Sequence, residues 1–186
     1  MKKILPFMAI SSLLALPVYA LVVGYSRAPV TPPSGQWYTL QGTAATTVGA
    51  DCTGGAGGYL YGQLVYDAPA TGTIKRVELY AGTVSGTPAY VARLGTDETL
   101  TSYDDEATGE ITATGTFEIT FSTGKSVTLG DPFSIGIKGT DADSFRLSRN
   151  STNWTGGQLR FNSDDQYWTM AGIYDSGDLY IRVYLE

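Results

Sequence analysis

The chain has no histidine and only one cysteine among its 186 residues. Without histidine it lacks the commonest general base, the usual zinc ligand and the usual partner of a nucleophilic serine. The single thiol, Cys52, cannot close a disulfide within the chain. In its glycine-rich setting, ADCTGGAGG, it reads as an inert free thiol, with an intermolecular disulfide as the alternative. Charged residues make up only 16% of the chain, and helix-favouring runs of Glu, Lys and Ala are missing. No G-x-S-x-G elbow occurs. The glycine cluster at 54–58 lacks the spacing and the following lysine of a phosphate cradle. Eighteen carboxylates could supply a glycosidase pair, but nothing singles out two of them. The chain reads as a non-enzyme.

What is present favours strands. Glycine is abundant at 23 residues, and Val, Ile, Thr, Tyr, Phe and Trp are spread throughout. The formal charge is -6, and the two lysines nearest the start, Lys2 and Lys3, leave ten bases against eighteen acids in the remainder. Such a surface repels phosphate backbones, so no nucleic-acid partner is expected.

The first twenty residues have the layout of a secretory signal peptide. Lys2 and Lys3 precede an apolar run, and Val18-Tyr19-Ala20 places small residues at the -3 and -1 positions of a cleavage site. The run continues through Leu21, Val22 and Val23, so a retained amino-terminal membrane anchor is the alternative to cleavage. Both imply export, to the medium, the periplasm or the cell surface. Residues 21–35 include RAPVTPPSG, a proline-rich extended linker. A single domain is expected over 36–186.

Within that domain, 36–40 reads as a strand and the small-residue stretch 42–58 as a loop. YLYGQLVY, TIKRVELY and PAYVARL read as strands separated by Pro, Gly and Thr turns, and the acidic stretch 104–106 as an exposed loop. Three later segments alternate clearly. Phe117, Ile119 and Phe121 share one face, as do Phe133, Ile135 and Ile137, and then Leu179, Ile181, Val183 and Leu185. A period of two with one apolar face marks a strand with one side in a core. About nine strands are expected, packed as an all-β antiparallel sandwich.

The order of features resembles that of exported and phage-associated jelly-roll β-sandwich modules, some of them similar to carbohydrate-binding modules. The resemblance rests on GQLVYDAPATGTIKRVELY, TFEITF, VTLGDPFSIGI, the Trp154-Thr155-Gly156-Gly157 element and the closing segment from Asp178 to Tyr184, and it covers about 59–186. It implies a jelly-roll topology and a role in adhesion, glycan binding, virion structure or enzyme targeting, without choosing among them.

Surface aromatics are the most informative candidates. Tyr180 and Tyr184 fall opposite the apolar face of the last strand, and Tyr59 and Tyr61 share a face earlier. Trp154, Tyr167 and Trp168 lie in or near turns, with Asn153, Gln158, Arg160 and Asp164 between and around them. Aromatic rings stack on the apolar faces of sugars while polar side chains fix orientation. These seven residues are the candidate glycan-binding set, against the alternative that they are ordinary core and edge residues. Asp141 and Asp143, and Asp175 and Asp178, are loop carboxylates of the kind that hold Ca²⁺. Asp also favours turns in its own right. No other cofactor is indicated.

Two functions follow. One is a binding module that contacts glycans or a cell-surface protein. The other is a structural subunit of a surface appendage, matrix or virion that self-assembles by adding its extended amino-terminal segment to a neighbour's sheet edge.

Overall fold

The computed structural model describes residues 35–48, 50–55, 58–151, 154–164, 167–173 and 177–186. The segments expected as leader and as most of the linker lie outside the described residues. So do two of the candidate ligands, Asn153 and Asp175.

Twelve strands are present among the described residues, and no helix. They are β1 (Gln36–Gln41), β2 (Thr46–Thr47), β3 (Leu60–Val65), β4 (Gly72–Ser85), β5 (Ala89–Gly95) and β6 (Asp105–Glu110). After these come β7 (Gly115–Val127), β8 (Phe133–Gly139), β9 (Ser144–Arg149), β10 (Gly157–Asn162), β11 (Gly172–Ile173) and β12 (Ile181–Leu185). The count exceeds the nine expected because β2 and β11 have two residues each, too short for alternation to register. Beyond these, β6, with the sequence DEATGE, carries a single core side chain, Ala107, too little for alternation to register.

Two six-stranded antiparallel sheets face one another as a sandwich. In the first, β4 is the spine. One edge of β4 pairs with β7, while the opposite edge carries β12 along Ile74 to Leu79 and β9 along Ala81 to Ser85. β1 pairs with the outer edge of β12, and β2 with β9. The second sheet runs β11-β10-β3-β8-β5-β6. Alternation sends Val77, Leu79, Ile119, Phe121, Ile181 and Val183 inward from the first sheet, to meet Tyr61, Leu94, Phe133, Ile135, Ile137 and Leu159 from the second. Burying an aliphatic or aromatic side chain of this size contributes about 1.5–3 kcal/mol.

The outer face of the second sheet is covered over β3 and β8. Segments 96–104 and 167–171 meet there through the Thr99–Thr169 bridge. Leu100 N–H donates to Trp168 O at 3.0 Å, and Met170 N–H to Glu98 O at 2.9 Å. Leu60, Leu100, Trp168 and Met170 form a second, smaller core beneath this roof. Gly62 and Gly136 make room for it. A Cβ on Gly62 would lie 2.1 Å from Met170 Sδ, and one on Gly136 2.6 Å from Leu100 Cδ1. All six residues of β3 are therefore buried, although only its alternate positions face the main core.

The acidic stretch 104–106 departs from the expected exposed loop, since Asp105 opens β6 and is buried. Its carboxylate accepts the N–H groups of Thr123 (2.5 Å), Gly124 (2.7 Å) and Glu106 (2.8 Å), and the Ser122 hydroxyl at 3.4 Å. Asp105 thereby ties the edge of the second sheet to β7 of the first. Residues 42–58, expected as a loop, contribute β2 and a bridge from Cys52 to Phe145, with Val48 and Cys52 in the core.

Candidate functional site

The outer face of the first sheet is partly exposed, and the alternation that builds the core also builds this face. With Ile181, Val183 and Leu185 pointing inward, β12 leaves Arg182 and Tyr184 outward, and Tyr180 precedes them on the same side. On β4 the regular register sets Arg76 opposite Tyr184, with Glu78 and Tyr80 outward after it, and a shift beyond this pair skips Lys75 so that Ile74 meets Leu185. On β1, Trp37 pairs with Tyr184 and Thr39 with Arg182. Cross-strand neighbours of this kind interact directly. One row across the sheet reads Trp37, Tyr184, Arg76, Thr120, and the next reads Thr39, Arg182, Glu78, Glu118.

The rings and guanidinium groups interleave. Arg76 lies 3.7 Å from the centre of the Tyr184 ring and 5.3 Å from that of Trp37. Arg182 approaches Trp37 at 5.1 Å, and the Trp37 and Tyr184 rings are 5.4 Å apart. Tyr80 and Tyr180 form a second pair, edge to face at 6.0 Å. Stacks of this type hold side chains in place and leave their rims accessible.

Ion pairs and hydrogen bonds complete the arrangement. Glu78 Oε1 accepts from the Tyr180 hydroxyl at 2.8 Å and from Arg182 Nη1 at 3.0 Å. Arg76 Nη1 reaches Glu118 Oε1 at 3.3 Å. Glu78 and Glu118 sit directly opposite each other across the strands, and the two arginines offset that like-charge contact. Partial desolvation works against the charge on Arg76, but the Tyr184 hydroxyl and the Glu118 carboxylate outweigh it and raise its pKa above the ordinary arginine value. Bonding to Glu78 raises that of Arg182 as well. Desolvation, with the bond to Glu78, raises the Tyr180 hydroxyl above the ordinary tyrosine value, so it stays protonated and donates.

The described residues of the candidate glycan set lie on β10 and in the segments flanking it. Trp154 is half-buried and packs against the main core beside β10. Trp168 belongs to the second core and is only 8% exposed, with Arg93 at 4.1 Å and Lys138 at 4.9 Å from its ring centre. Tyr167 is 62% exposed. Gln158 accepts a long 3.5 Å bond from the Tyr66 hydroxyl, and Arg160 pairs with Gly62 and Ile173 on β10. Asp164 lies in a turn, its N–H donating to Asn162 Oδ1 and its carbonyl accepting from Tyr167 N–H. Of the earlier pair, Tyr61 is buried in the main core with Tyr59 stacked on it.

Asp141 and Asp143, two of the candidate calcium ligands, bind backbone. Asp141 Oδ2 accepts Ala89 N–H at 3.0 Å and Asp143 Oδ2 accepts Thr87 N–H at 2.8 Å, so both hold the turn into β5. Asp178 is buried. One of its oxygens accepts from Gln63 Nε2 at 2.7 Å and the other from Trp154 N–H, while Gln63 Oε1 accepts Leu179 N–H at 3.0 Å. Among the described residues no group of three or more metal-ligating side chains comes together.

Trp37, Arg76, Glu78, Tyr80 and Arg182 did not stand out in the sequence as binding residues. Period-two alternation shows that each points outward, but only the pairing of β1, β12 and β4 makes them neighbours. Compared with known proteins, the chain matches no family model and no curated sequence.

Proposed function

We propose that the chain is an exported, non-catalytic binding module that contacts glycans through the outer face of its first sheet. The observation that carries this reading is the Trp37–Tyr184–Arg76 stack together with the Tyr80–Tyr180 pair, on three adjacent strands of one partly exposed face. Aromatic rims supply apolar contact for sugar rings, and guanidinium and carboxylate groups beside them supply donors and acceptors for sugar hydroxyls. On the interior strands β12 and β4, Tyr184, Arg76 and Tyr80 are held by these contacts before a ligand arrives, which reduces the ordering cost of binding. The signal-peptide layout of the first twenty residues supports export.

The test is retention on a panel of insoluble polysaccharides and on a glycan array. Wild type is expected to bind, Trp37→Ala and Tyr184→Ala to lose retention, and Leu129→Ala, a change at an exposed residue of the loop between β7 and β8, to keep it. If Tyr167→Ala abolishes retention while Trp37→Ala keeps it, the binding surface lies around 154–173 instead. A folded wild-type protein that retains nothing removes the reading.

A further inference from the structure

We infer that the ligand of this face is an electrically neutral, extended oligosaccharide lying along β12; this rests on the binding reading above and specifies its ligand class. The first argument is charge. The face carries Arg76 and Arg182 against Glu78 and Glu118, each arginine already engaged by one of those carboxylates and by an aromatic ring. Two further cations on this sheet are engaged as well: Lys75 donates to the Ser122 carbonyl at 2.9 Å, and Arg146, outward on β9, pairs with Asp51 at 2.8 Å. An anionic chain, such as a polyuronate or a sulfated glycan, would have to displace Glu78 and Glu118 from the arginines while approaching a protein of net charge -6. A neutral sugar meets neither cost. Its hydroxyls donate and accept, and the face offers both: guanidinium N–H groups, carboxylate oxygens and the exposed hydroxyls of Thr39, Thr116 and Thr120.

The second argument is spacing. The Trp37–Tyr184 pair and the Tyr80–Tyr180 pair are separated along β12 by the four-residue step from Tyr180 to Tyr184, about 13 Å at the usual strand rise. A monosaccharide reaches one pair. Only a chain running parallel to β12 touches both, and between them it passes over Arg182 and Glu78, whose contact at 3.0 Å places a donor and an acceptor side by side.

Isothermal titration with neutral gluco-, xylo- and manno-oligosaccharides from disaccharide to hexasaccharide, beside oligogalacturonates and sulfated oligosaccharides, tests this. Affinity for one neutral series is expected to rise about tenfold or more with length and to exceed that for the anionic series. Tyr80→Ala should abolish the rise, bringing hexasaccharide affinity down to about that of the disaccharide. Tyr180→Phe, which keeps the ring, should preserve the rise. Tighter binding of an anionic series, or affinity independent of length, overturns the inference and leaves the binding reading standing. Absence of binding to every neutral and anionic glycan by folded wild type overturns both.

Discussion

The Arg76 guanidinium rests on the face of the Tyr184 ring, 3.7 Å from its centre, and Trp37 flanks both. The stack joins β1, β12 and β4 on the outer side of the sheet, so it contributes to the fold as well as to a surface. A partly exposed cation–π contact contributes about 0.5–1 kcal/mol, more where water is excluded.

Tyr184→Ala is therefore expected to lower stability by about 1–2 kcal/mol in urea unfolding, while Tyr184→Phe, which keeps the ring, should stay within about 0.5 kcal/mol of wild type. Equal losses for the two variants would show that the hydroxyl, and not the ring, supports the face.

Asp105 makes stability depend on acid. Desolvation of its carboxylate works to raise its pKa, but the N–H groups of Gly124, Thr123 and Glu106 and the Ser122 hydroxyl prevail and lower it. A carboxylate with a lowered folded-state pKa adds stability above its unfolded value, about 3.9, and loses it as pH falls through the folded value. Asp105→Asn is expected to cost about 1–3 kcal/mol at pH 7. Its unfolding free energy should also fall less steeply than that of wild type below about pH 4. Parallel pH profiles for the two proteins would show that Asp105 is not the group that titrates.

Cys52 is fully buried, and its pKa is pushed up by desolvation and then by the neighbouring Asp51. A neutral, enclosed thiol is a poor nucleophile. Thiol reagents should leave the native protein unlabelled and react stoichiometrically in denaturant, and non-reducing gels should show a monomer. Fast labelling without denaturant would mean that the 50–55 segment opens readily.

The roof over the second sheet depends on missing side chains. Gly136→Ala should cost about 1–3 kcal/mol because its Cβ meets Leu100 Cδ1 at 2.6 Å and Leu60 Cδ1 at 3.3 Å. Adding Leu100→Ala removes the nearer clash, so the double variant should lose less than the sum of the two single losses. Strict additivity in thermal or denaturant melts would place the cost elsewhere.

The sequence made the all-β sandwich legible wherever one face of a strand was apolar. Phe117, Ile119 and Phe121, and the inward residues of β12, occupy the side that alternation assigned to them. Legibility failed where both faces of a strand are buried. On β8, Ser134 is as fully buried as Ile135, because its hydroxyl donates to the Asp97 carbonyl under the roof. It failed again where a polar side chain serves the backbone. Asp105 and Asp178 look like surface carboxylates in sequence, but each replaces water with N–H donors drawn from distant segments. Tyr180 and Tyr184 were legible as outward residues. Their partnership with Trp37 and Tyr80 was not, because strand order cannot be read from a period of two.

Strands β3 and β8 are enclosed on both sides, by the main core beneath and the small core above, whereas β1 is held along a single edge by β12. Amide protons in β3 and β8 should consequently exchange with solvent only when the whole domain opens, while those of β1 exchange through local fraying. Trp37 thus rides on one of the most loosely held strands of its sheet. Any molecule gripping its ring would slow that fraying, so deuterium uptake along 36–41 offers a direct readout of occupancy.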